Sequence, residues 1–72
     1  MNIPKLKELM KKRRVTQEEL ASATGTSQAY ISYCLGGMKV PSLGVFVRIC
    51  ATLQCSPEEI AELLEYGRQP LG

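Results

Sequence analysis

The sequence predicts an all-α fold, a compact bundle of five short helices. Three features predict it. Apolar residues recur at spacings of three and four in almost every segment. Capping and helix-stopping residues divide the chain into short pieces. No segment alternates apolar and polar residues as a half-buried strand does.

Each helix has its own justification. Ile3, Leu6, Leu9 and Met10 make one stripe on a first helix near residues 4–13, with Pro4 tolerated in its first turn. Thr16-Gln17-Glu18-Glu19 reads as a capping box, so a second helix starts after Thr16 and buries Leu20 and Ala23. Gly25 ends it, since glycine accepts the left-handed conformation of a helix terminus. Ser27 caps a third helix that runs to about Leu35, with Tyr30, Ile31 and Cys34 inward, and Gly36-Gly37 closes it. Residues 38–41 form a loop, because Pro41 holds Val40 away from helical geometry. Ser42 caps a fourth helix whose stripe is Leu43, Phe46, Val47, Cys50 and Leu53. Ser56-Pro57-Glu58-Glu59 is a second capping box, with proline at the first helical position. The fifth helix buries Ile60, Leu63 and Leu64, and Gly67 stops it. One domain over residues 1–67 is expected, followed by a flexible tail at 68–72.

Composition narrows the chemistry. Seventy-two residues suit a single domain with a small core, and no tryptophan and one phenylalanine make that core aliphatic. The chain has neither histidine nor aspartate, which excludes Ser-His-Asp and Cys-His catalysis and histidine-containing zinc sites within it. The pairs Glu18/Glu19 and Glu58/Glu59 are explained by capping, and neighbouring helical residues diverge by about 100°. No enzyme activity, cofactor or metal is expected. The three cysteines, Cys34, Cys50 and Cys55, are an odd number without a CxxC motif, and no signal peptide is expected. Buried, hydrophobe-like thiols in a reducing cytosol are the expectation, with no redox switch. No apolar run exceeds three residues, so no membrane span is expected. The net charge is +2, unevenly placed. Lys5, Lys7, Lys11, Lys12, Arg13 and Arg14 face only Glu8 within the first 14 residues, while Glu58, Glu59, Glu62 and Glu65 face Arg68 at the other end. Such asymmetry points to an anionic partner near the basic end.

The second and third helices, joined by a turn at Gly25, have the pattern of a helix-turn-helix. Ala21 is small enough for a close crossing, and Ile31 and Cys34 lock it from inside, which leaves Gln28, Ala29, Ser32 and Tyr33 outward. The series Thr16-Gln-Glu-Glu-Leu-Ala21, Gly25-Thr-Ser-Gln28 and Tyr30-Ile-Ser32 continues through Gly37, Pro41-Ser-Leu43, Ile49, Leu53 and Ser56-Pro-Glu-Glu-Ile60. Over about residues 6–64, without a gap, it resembles the helix-turn-helix domain of lambda-type repressors and Cro proteins, the XRE-like family.

The resemblance implies a function. The third helix would enter the major groove of double-stranded DNA. Gln28, Ala29, Ser32 and Tyr33 would be the base readers. Gln28 suits adenine and the Ala29 methyl suits thymine. Ser32 is adaptable, and Tyr33 would line the groove, bond a phosphate or simply pack. Gln17, Ser27, Lys39, Arg13, Arg14 and the amides near Ser42 and Leu43 would hold phosphates, with Gln17 also bracing Gln28. Lys5, Lys7 and Lys11 are better read as solvated surface. The chain would act as a small cytoplasmic transcriptional regulator of the phage or bacterial kind. It would bind a pseudo-palindromic operator as a homodimer, with no small-molecule ligand. The dimer surface would use the loop before the fourth helix, the fifth helix and the tail, including Tyr66 and Leu71. The alternative is a protein-interaction module of the same fold, an antirepressor or antitoxin-like partner.

The chain also departs from the family's usual pattern. Met10 and Leu35 stand where relatives often carry an arginine–glutamate pair, Arg14 stands at a common glycine position, and the third helix bears no charge.

Overall fold

The computed structural model describes residues 1–64, which form five helices: α1 (Ile3–Arg13), α2 (Gln17–Thr24), α3 (Gln28–Leu35), α4 (Leu43–Thr52) and α5 (Pro57–Leu64). The expected stop at Gly67, the tail at 68–72, Tyr66 and Leu71 lie outside the described residues.

Local capping chemistry sets the helix starts. The Asn2 side chain accepts the Lys5 amide at 3.1 Å, and the Ser27 hydroxyl accepts that of Tyr30 at 3.0 Å. Both capping boxes are closed. The Thr16 hydroxyl accepts the Glu19 amide at 3.1 Å while the Glu19 carboxylate accepts the Thr16 amide at 2.9 Å, and Ser56 and Glu59 repeat the exchange at the same two distances. Two helix ends use left-handed residues that are not glycine: Arg14 after α1, at φ 57°, and Gln54 after α4, at φ 53°.

The core lies where the helices meet. Leu6, Leu9, Leu20, Ile31, Ile49, Leu53 and Leu63 are fully buried, and Met10 and Leu35 are buried with them. The exchange of an ion pair for Met10 and Leu35 is thus accommodated by apolar packing. Thr24, which the apolar pattern passes over, is also buried, because its hydroxyl donates to the Leu20 carbonyl at 2.8 Å. The chain's start is tied to α5 through the Asn2 amide, which donates to the Leu63 carbonyl at 2.7 Å.

Four residues expected in the core are exposed: Ala23, Leu43, Val47 and Leu64. Periodicity locates a stripe but not its edges. Val47 lies about 100° around the helix from Phe46, beyond the flank that packs. Val45, Phe46, Ile49, Cys50 and Leu53 form the inner side of α4 instead. Leu43, in the first turn, joins Val40 and Leu64 along an apolar groove on the outside.

The charge asymmetry of the sequence is partly an internal pairing. The Arg13 guanidinium on α1 donates to both Glu59 carboxylate oxygens on α5, at 2.9 and 3.1 Å, and Lys5 meets Glu62 at 3.2 Å. The basic first helix lies beside the acidic fifth.

Candidate nucleic-acid interface

The α2–turn–α3 unit is built by a Schellman motif. The Gly25 amide donates to the Ser22 carbonyl at 3.3 Å and the Thr26 amide to that of Ala21 at 2.9 Å. Gly25 sits at φ 71°, where a side chain is strained, and a Cβ there would approach Arg48 Nη1 to 3.3 Å. That guanidinium, on α4, donates to the Thr24 carbonyl at 3.3 Å and so holds the end of α2. The turn is therefore fixed from both sides.

The third helix then shows two faces. Ile31, Cys34 and Leu35 are buried, and Ala21 on α2 is buried in one cluster with Ile31 and Leu35. Gln28, Ala29, Ser32 and Tyr33 are all exposed, with Tyr33 at 53% of its surface. At about 100° per residue these four lie within one arc of about 140°. The arc offers an amide, a methyl, a hydroxyl and a phenol, and no charge. Those groups suit hydrogen bonding and apolar contact at base edges.

Helix N-termini and single cations are the groups suited to anions. The first amides of a helix have no partner inside it, and they favour anions. At α2 the third amide is taken by Thr16, which leaves those of Gln17 and Glu18. Glu19 itself occupies part of this terminus, and the hydrogen bond from the Thr16 backbone holds its carboxyl below the usual range. Gln17 is half-buried, and among the described residues no hydrogen bond joins it to Gln28. Ser27 spends its oxygen on the Tyr30 amide, yet its hydroxyl proton is still free to donate.

At α4 the arrangement differs from expectation. The Ser42 amide donates to the Tyr30 hydroxyl at 3.4 Å, and the Ser42 hydroxyl accepts the Val45 amide at 3.3 Å. The open amides there are those of Leu43 and Gly44, so Ser42 acts as the cap rather than as the donor. Lys39 lies over the Tyr30 ring, 5.6 Å from its centroid, and beside Tyr33 and Met38. Tyr30 therefore positions both the cation and the start of α4. Its sequence spacing marks it only as an inward residue, and nothing local announces this second role.

The two arginines before α2 part company. Arg14 is exposed. Arg13 is paired with Glu59, where its side chain is 26% exposed, and its Nη1 is buried without a partner among the described residues. That pairing, across 46 positions, engages a side chain expected at a phosphate, and no local reading of the sequence reports it. Lys5 is likewise paired rather than solvated, and the neighbouring Glu62 carboxylate raises its pKa.

A sequence profile of the Cro/C1-type helix-turn-helix DNA-binding domain matches residues 5–65, which takes in α2 to α5 whole and nearly all of α1. No curated protein and no solved structure gives a significant match. The match covers both the α2–turn–α3 unit and the frame that presents it, and the chain belongs to the Cro/C1-type helix-turn-helix DNA-binding domains.

Proposed function

We propose that the chain is a sequence-specific transcriptional regulator, repressor-like and cytoplasmic, that places α3 in the major groove of a pseudo-palindromic operator. The observation that carries this reading is the uncharged, exposed arc of Gln28, Ala29, Ser32 and Tyr33, with Lys39 beside Tyr33 and the start of α4 tied to Tyr30. Gln28, Ala29, Ser32 and Tyr33 read base edges. Arg14, Lys39, the Ser27 hydroxyl and the amides of Gln17, Leu43 and Gly44 hold phosphates.

One subunit reads too few base pairs to be selective, and a two-fold dimer doubles the site. The exposed apolar residues Val40, Leu43, Val47 and Leu64 support a dimer surface on the loop before α4, on α4 and on α5. The same residues support the second reading, a protein-interaction module.

Selection from a randomised duplex pool at low salt tests the proposal. Enrichment of a pseudo-palindrome with adenine in each half-site is expected. Gln28→Ala should then cost about 1–3 kcal/mol on that site and relax the preference at one position. If no sequence is enriched, or if Gln28→Ala weakens all duplexes alike, the regulator reading gives way to the interaction module.

A further inference from the structure

The end of α4 is a second Schellman motif. The Cys55 amide donates to the Cys50 carbonyl at 3.0 Å and the Gln54 amide to that of Ala51 at 3.1 Å, with Gln54 left-handed. Such a motif brings together the side chains on either side of the turn, commonly as a hydrophobic contact. Here those two side chains are both thiols. The path from one α-carbon through the hydrogen-bonded carbonyl and amide to the other limits their separation to about 7 Å. That bound coincides with the reach of a disulfide. Both residues also line one groove of about 290 Å³ on the outside of α4, with Phe46, Val47, Ala51 and Ile60. Cys55 is half-buried and reachable from the groove, whereas Cys50 is packed against the core.

We infer that Cys50 and Cys55 are a dithiol modification site, converted to an intramolecular disulfide by a small-molecule disulfide. Cys55 loses its proton to solvent, and the thiolate attacks one sulfur of a disulfide such as oxidised glutathione. A mixed disulfide forms and one glutathione leaves as thiolate. Cys50 then loses its proton and attacks Sγ of Cys55, and the second glutathione leaves. Two protein thiols are oxidised and one small disulfide is reduced to two thiols. Burial pushes the Cys50 thiol up to about 11 and also raises Cys55. The exchange therefore needs thiolates that are scarce at neutral pH, and it speeds up as pH rises. Cys34 lies apart on α3, buried in the core side of that helix, and serves as an internal control. The inference is independent of the DNA-binding reading.

The test uses the whole folded chain, incubated with oxidised glutathione at about pH 8.5. Acid quenching, denaturation and alkylation are followed by mass spectrometry. The expected product has lost about 2 Da, keeps one alkylatable thiol at Cys34, and carries the loss on the tryptic peptide spanning 49–68. Cys34→Ser should react in the same way, and Cys55→Ser should not close. Three thiols remaining after prolonged incubation would overturn the inference. So would a glutathione adduct that never resolves, or a disulfide that involves Cys34 or joins two chains.

Discussion

Arg14 offers a substitution whose two effects have opposite signs. It occupies the left-handed region at φ 57° and ψ 43°, at the end of α1, where a glycine pays no steric penalty. A residue with a Cβ there costs about 1–2 kcal/mol. Glycine returns part of that through the greater freedom of its unfolded chain, about 0.5–1 kcal/mol. Arg14→Gly should therefore stabilise the domain by about 0.5–1 kcal/mol, which raises Tm by about 2–8 °C at this size. If Arg14 holds a phosphate, the same variant binds DNA less tightly. The slope of log K against log salt then falls by about 0.9 per subunit. Thermal denaturation followed by circular dichroism reads the first effect, and fluorescence anisotropy at several salt concentrations reads the second. Arg14→Lys keeps both the strain and the charge and should leave both readouts near those of the parent. A less stable Arg14→Gly variant would show that the side chain contributes more than the backbone strain costs. An unchanged salt slope would remove Arg14 from the phosphate set.

Further substitutions test the frame. Leu20 has no exposed surface, so Leu20→Ala should cost about 2–5 kcal/mol, a large share of the stability of so small a domain, measured by urea denaturation. Tyr30→Phe keeps a ring under Lys39 but removes the acceptor of the Ser42 amide. It should cost about 0.5–1.5 kcal/mol and weaken DNA binding with the four residues of the outward arc unaltered, checked by urea denaturation and anisotropy. Glu19 and Glu59 have carboxyls held below the ordinary 4.5, chiefly by the backbone amides of Thr16 and Ser56. A depressed folded pKa means stability that is complete above the unfolded value and lost as pH falls through the folded one, so the urea midpoint should drop below about pH 4.5. Glu19→Gln and Glu59→Gln should each flatten that drop, and an unchanged acid limb would refute the assignment.

The features read correctly from sequence are the ones set by neighbours a few positions apart. Thr16 with Glu19, Ser56 with Glu59, and Ser27, Ser42 and Gly25 each act within three or four residues, and each helix begins or ends where they place it. The outward arc of α3 was legible for the same reason, since at about 100° per residue Ile31 and Cys34 fall on the side of the helix opposite the arc. What escaped depends on partners far along the chain. Arg13 meets Glu59 and Arg48 meets Thr24 across 46 and 24 positions, and no spacing rule reports such pairs. Leu43, Val47 and Leu64 follow the right period but are left exposed among the described residues. Tyr30 was placed inward by its period, while the function of its hydroxyl depends on where the loop before α4 passes.

The distribution of charge divides the labour of binding. With no cation on α3, nothing in the reading arc attracts DNA of arbitrary sequence. Arg13 and Lys5 are paired with α5, and the proposed phosphate contacts keep Arg14 and Lys39 as their cations. Two neutralised phosphates per subunit give a slope near −1.8, so a single subunit loses only about tenfold between 50 and 200 mM salt. A dimer doubles the slope, and its loss over the same range rises to about 10²-fold. Weak attraction by each subunit also means that non-specific complexes are short-lived. In the proposed complex, occupancy would then rest on the match between four neutral side chains and their bases, counted twice across the two-fold axis. In the proposed dimer, the apolar residues exposed on α4 and α5 would be the means of that doubling. On that proposal an uncharged reader and an exposed apolar face serve one end, in which selectivity would come from assembly rather than from the strength of any one contact.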